Sequence, residues 1–151
     1  MYIENSKPYQ YFNKNRAALV SWLADDDWEL AGTFTFKNNV YEAQARRTFM
    51  HFWNVIDYKI FKNSAKRHNK RCERICFIEV GAGNDNWHYH VATKTPERLS
   101  AGVYERLIKI HWLELDNTGI IEIKPIFEVV GWTNYMSKKI TAFNTDAFDA
   151  E

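Results

Sequence analysis

Residues 74–93 constrain the fold more than any other stretch of this chain. They read Arg74–Val80 (RICFIEV), Gly81–Asn86 (GAGNDN) and Trp87–Thr93 (WHYHVAT). Two runs rich in β-branched and aromatic residues around a Gly/Asn/Asp turn spell a β-hairpin. Strand side chains alternate, so His88 and His90 share one face while Trp87, Tyr89 and Val91 take the other. On the first arm, Glu79 interrupts an otherwise apolar alternation with Ile75 and Phe77. A carboxylate in such a strand is costly without a partner, and the turn can bring it beside the histidines. Two imidazoles and one carboxylate form a mixed N/O set that suits Mn²⁺ or Mg²⁺ and would accept Co, Ni or Zn.

The other elements follow from periodicity and breakers. Tyr11–Leu23 reads as a leading helix ending in the acidic cluster Asp25–Asp27, and Trp28–Phe36 (WELAGTFTF) as a strand. Tyr41 to about Lys62 is a long helix with Phe49, Phe52, Trp53, Ile56 and Ile60 at helical spacing; a basic loop follows. Pro96 opens a helix to about Leu115, closed by Asp116–Gly119; Ile120–Phe127 is a strand and Val129–Ile140 a final helix. The order β-α-β-β-α-β-α predicts an α+β fold: a single antiparallel sheet of about five strands flanked by helices, ferredoxin-like or split β-α-β. One domain is expected over 1–151: a leading helix and acidic segment (1–27), a catalytic core (28–143) and an acidic tail (144–151).

Charge is segregated although the net is only +1. The stretch from Lys59 to Arg74 holds seven Lys or Arg against the single Glu73, and Arg46 and Arg47 precede it. A small net charge argues against a general polyanion coat, whereas a local cluster is a plausible phosphate-binding surface. Aromatics make up 16% of the residues, enough to leave some rings over as stacking platforms for bases. Cys72 and Cys76 follow His68 as H-x3-C-x3-C. Cys76 heads the first hairpin strand, so two reduced thiols are expected rather than a zinc site. No apolar signal core and no 18-residue apolar span occurs, so the expected location is the cell interior, cytoplasmic or nuclear with the host.

The stretch Gly131–Ile140 (GWTNYMSKKI) carries a further pattern. Trp132, Met136, Ile140 and Phe143 form a helical stripe, with Tyr135 at its edge about 100° from Met136. Lys138 and Lys139 lie at i+3 and i+4 from Tyr135. Lys139 is about 40° from the tyrosine and Lys138 about 60° on its other side.

Taken together, the chain resembles the HUH endonucleases, and within them the single-tyrosine replication-initiator (Rep) nuclease domains with a circovirus-like motif set. Phe34–Asn39 (FTFKNN) is similar to the first motif with one residue inserted. His88-Tyr89-His90 matches the second, and Tyr135–Lys138 (YMSK) matches Y-x-x-K. Glu79, nine residues before His88, stands where such Reps carry their carboxylate ligand. The resemblance implies a metal held by Glu79, His88 and His90, with Tyr135 as nucleophile. It places a lysine beside the tyrosine, Lys138 by family register, with Lys139 open. It implies that Phe36, Lys37, Asn38, Arg46 and Arg47 contact DNA.

The implied activity is nicking and strand transfer of single-stranded DNA or an origin hairpin through a 5′-phosphotyrosine. No helicase domain follows the motifs, which reads as a stand-alone small Rep, a trimmed nuclease domain or a relative with another task, with a separate helicase among the expected partners. A single-tyrosine transposase or relaxase is the alternative within the class. Outside it stand a zinc hydrolase or lyase using the same histidines and a non-catalytic single-strand binder.

Overall fold

A computed structural model describes residues 17–18, 21–22, 24–81, 86–126, 131–132 and 148–149. The strands are β1 (Leu30–Phe36), β2 (Arg74–Glu79), β3 (His88–Thr93), β4 (Thr118–Pro125) and the two-residue β5 (Phe148–Asp149). The helices among the described residues are α1 (Glu42–Phe61), α2 (Asn63–Arg67) and α3 (Ala101–Leu113). The sheet order is β4-β1-β3-β2-β5, and all neighbours are antiparallel. β3 thus lies between β1 and β2, as a split β-α-β arrangement requires. The expected α+β class and single antiparallel sheet are what the chain forms. The leading helix and the final helix fall largely outside the described residues.

One sheet face carries the core. α1 turns Ala45, Phe49, Phe52, Trp53 and Ile56 inward, and α3 contributes Tyr104, Ile108 and Trp112. These positions recur every three or four residues, the period of one helix face. Phe34 sits at the centre, edge-on to Phe49 at 5.4 Å, Phe52 at 5.5 Å and Trp112 at 5.1 Å. Burying each such ring contributes roughly 1.5–3 kcal/mol. Gly32 makes this possible, because a Cβ there would come within 2.7 Å of the Phe34 ring.

β1 starts at Leu30 rather than Trp28 and β4 ends at Pro125 rather than Phe127, and three further differences from expectation have a local reason. α3 begins at Ala101 rather than near Pro96, because the Ser100 hydroxyl caps it by accepting from the Val103 amide at 3.3 Å. β4 begins two residues early, at Thr118. There the Thr118 hydroxyl donates to the carbonyls of Trp112 (2.6 Å) and Leu115 (2.9 Å) after a left-handed Asn117. The supposed basic loop contains α2, set off from α1 by Lys62 at φ 53°. No helix among the described residues is long and apolar enough to cross a membrane.

A buried ion pair joins α1 to the start of β2. Asp57 is fully buried and Arg74 is 3% exposed. Arg74 Nη1 donates to the Asp57 carboxylate at 3.2 Å, and the Cys72 amide donates to Asp57 Oδ1 at 2.8 Å. The guanidinium also lies 4.6 Å from the Trp53 ring centroid. Burial, with the Asp57 carboxylate adding to it, pushes the Cys72 thiol up to about 12. Cys72 and Cys76 are both free and buried, and His68, Cys72 and Cys76 do not gather as metal ligands among the described residues.

Removing one partner of such a pair leaves an uncompensated charge in the core. Asp57→Ala should therefore cost about 3–5 kcal/mol, read as a lowered urea midpoint. A loss below about 1 kcal/mol would mean that the pair is not anchoring the fold.

Candidate metal centre

β3 places the histidines. Tyr89 and Val91 point into the core, and the Tyr89 ring stacks on Phe49 with centroids 3.7 Å apart and planes 5° from parallel. His88 and His90 therefore emerge on the opposite face, both partly buried. Their rings stand edge to face at 4.9 Å.

The hairpin supplies the third group. Register pairs Glu79 with His88 and Phe77 with His90. Glu79 Oε2 lies 3.3 Å from His88 Nε2 and 3.0 Å from His90 Nε2. The three candidate ligand atoms all fall within 4.8 Å of one another, the one such group among the described residues.

The far nitrogen of each imidazole meets an oxygen. His88 Nδ1 is 3.2 Å from the Asn86 carbonyl oxygen. A carbonyl only accepts, so Nδ1 donates to it, and Nε2 is the ring nitrogen turned toward Glu79, the one a cation would take. Asn86 is held at φ 60° in the turn. His90 Nδ1 is 3.3 Å from Thr33 Oγ1, across the β1–β3 ladder where Thr33 and His90 are partners. A metal-ligating histidine commonly donates its other N–H to such an oxygen, which fixes the ring and raises its basicity. This donor set fits a divalent cation: two imidazole nitrogens and a carboxylate oxygen converge, with outer hydrogen-bond partners in place.

The remaining expected residues are distributed as follows. Tyr135, Lys138 and Lys139 lie outside the described residues. The helical pair Gly131–Trp132 is described, and Trp132 meets Phe77 edge to face at 6.2 Å. Phe77 is the register partner of His90, so Trp132 packs against the ligand-bearing face.

Phe36 is half-buried against Trp112, with ring centroids 5.4 Å apart. Lys37 and Asn38 are exposed just beyond Thr35, the partner of His88. The Asn38 side chain donates to Asn117 Oδ1 at 3.1 Å. Arg46 pairs with Glu42 at 2.8 Å and Arg47 is exposed; both ride on α1, behind the sheet from the histidines. Thr33 and Asn86 are site residues that sequence reasoning missed. Thr33 shares strand parity with Thr35, but only the pairing of β1 with β3 reveals what it faces.

A family model for Replication-associated protein ORF2 matches residues 29–140. No curated protein and no solved structure matches the chain.

Thr33→Val should weaken Mn²⁺ binding about tenfold by removing the oxygen behind His90. Thr33→Ser should restore it, with the melting temperature of both close to the parent. Calorimetric titration of Mn²⁺ reads this, and equal affinity in Thr33→Val would remove Thr33 from the site.

Proposed function

The chain belongs to the Replication-associated protein ORF2 family, and from that premise we propose that it starts rolling-circle replication by nicking single-stranded DNA through Tyr135. The observation that carries this reading is the convergence of Glu79, His88 and His90, all partly buried, at one end of the hairpin. A purely DNA-binding domain has no need of two imidazole nitrogens gathered around one carboxylate.

Glu79, His88 and His90 would hold the cation, Mn²⁺ or Mg²⁺. When bound, the cation supplies Lewis acidity toward a scissile phosphate. The tyrosine would provide the attacking oxygen. A phenol of pKa about 10 is a weak nucleophile at neutral pH, so a nearby cationic group must favour its deprotonated form. Lys138 by family register, or Lys139 by helix geometry, takes that role. The Tyr135 oxygen forms a bond to phosphorus while the bond from phosphorus to the 3′ oxygen breaks. The products are a 5′-phosphotyrosine and a 3′-hydroxyl. One phosphodiester replaces another, so the step is close to isoenergetic and reversible and requires no nucleotide hydrolysis.

The position of Trp132 supports this assignment. It touches Phe77 on the ligand face and precedes Tyr135 by three residues. Were the helix to continue, that spacing would put Tyr135 one turn on and about 60° round from Trp132. Lys138 and Lys139 after the tyrosine favour a circovirus-like Rep over a single-tyrosine transposase, and a nucleophile at Tyr135 rather than near the N-terminus favours it over a relaxase.

His88→Ala or Glu79→Ala should abolish cleavage while changing single-strand affinity by less than about threefold, because affinity is spread over several phosphate contacts. EDTA should reproduce the loss, and full activity in EDTA would remove the metal from the mechanism.

Tyr135→Phe should abolish the covalent adduct on a denaturing gel, whereas Tyr11→Phe should not. With a 3′-labelled oligonucleotide the label should travel with the protein. A 5′ label on the protein, or loss of the adduct in Tyr11→Phe, would assign a different nucleophile and polarity.

A further inference from the structure

The end of the sheet away from the candidate metal centre carries a basic knob that the nicking step does not use. β2 runs from Arg74 to Glu79, so its start lies roughly 17 Å from the ligand end at about 3.3 Å per residue. Around that start, Lys59, Lys62, Lys66, Arg67 and Lys70 are all exposed. No carboxylate pairs with them among the described residues. The two acidic groups nearby are engaged elsewhere: Asp57 with Arg74, and Glu73 with Lys94 at 2.9 Å.

The knob is built rather than trailing. Lys62 at φ 53° turns the chain sharply out of α1, and its amide donates to the Tyr58 carbonyl at 2.8 Å. Asn69 at φ 50° turns it back, and the Lys70 amide donates to the Ser64 carbonyl at 3.2 Å. Two left-handed non-glycine residues carry a conformational cost, which the surrounding hydrogen bonds sustain. Lys66 Nζ sits 4.9 Å from the centroid of the Tyr58 ring. Arg71 ties the loop inward, with Nε 3.8 Å from Asp57. Basic residues at helix C-termini complement the helix dipole, which accounts for Lys59, Lys66, Arg67 and the α1 C-cap Lys62 but not for Lys70. In a chain of net charge +1, this concentration makes a local positive field.

We propose that Lys62, Lys66, Arg67 and Lys70 form a second phosphate-binding surface that holds the DNA strand flanking the cut. The proposal rests on the nickase reading. A strand seated at Glu79, His88 and His90 reaches the knob only if it extends several nucleotides beyond the cut, so the surface discriminates by length. Its contacts are to phosphates and carry no sequence preference.

The test compares the shortest oligonucleotide that the protein still cuts with the same sequence extended by about ten nucleotides on each side. Affinities are measured by fluorescence anisotropy in EDTA, for the parent and for the triple variant Lys62→Gln/Lys66→Gln/Lys70→Gln. The triple variant should bind the extended strand about tenfold more weakly at 0.1 M salt, with a salt-dependence slope lower by about 2, since each single-strand phosphate contact contributes about 0.7. Its affinity for the short strand, its cleavage of that strand and its melting temperature should match the parent. Equal weakening on both lengths, or none on either, overturns the knob while leaving the nickase intact. Failure of the parent to cut any oligonucleotide overturns both.

Discussion

The stack of Tyr89 on Phe49 holds the rest of this structure in relation to its chemistry. Two rings 3.7 Å apart and nearly parallel pin the middle of β3 to the longest helix. A strand cannot place Tyr89 inward without sending His88 and His90 outward. Core packing on one face therefore sets ligand geometry on the other. A slip of one residue between β3 and its neighbours would bury both imidazoles and expose the tyrosine. The density of aromatic contacts around Phe34 and Phe49 makes such a slip costly, at about 0.5–1.5 kcal/mol per ring pair beyond the area buried.

The neighbours of β3 complete the arrangement from both sides. β2 brings the Glu79 carboxylate to the Nε2 atoms, while β1 brings the Thr33 hydroxyl to Nδ1 of His90. The split β-α-β order is what puts the histidine strand between a carboxylate and a hydroxyl. Charge is handled on a separate level. The Asp57–Arg74 pair is spent inside the fold, and this leaves the lysines of the connection between α1 and β2 free to face solvent.

Much of this was legible in the residues. Strand parity assigned the faces of His88, Tyr89 and His90, and the polar turn predicted that Glu79 would meet them. Both inferences depend only on local alternation and a nearby reversal. Thr33 was not legible, because it lies 57 positions from His90 and strand pairing over that distance has no local signature. Asn86 acts through a backbone carbonyl, which side-chain chemistry does not announce. Pro96 suggested a helix start, but the Ser100 cap satisfied the first-turn amide and prevailed. The short α2 was hidden because its lysine and arginine, among the basic residues around it, looked like a solvated loop, while its shape comes from backbone bonds after a left-handed Lys62.

All three candidate ligands lie between residues 79 and 90, on a single hairpin. Bringing the ends of so short a segment together carries a small entropic penalty and takes about 10–100 ns for a ten-residue loop. Even in the unfolded chain, the carboxylate and imidazoles therefore stay in each other's neighbourhood. A ligand stabilises a fold only through its preference for the native over the denatured ensemble. A divalent ion bound here would find a partial site in the denatured chain as well, so it would raise the thermal stability of the protein by less than its native-state affinity implies.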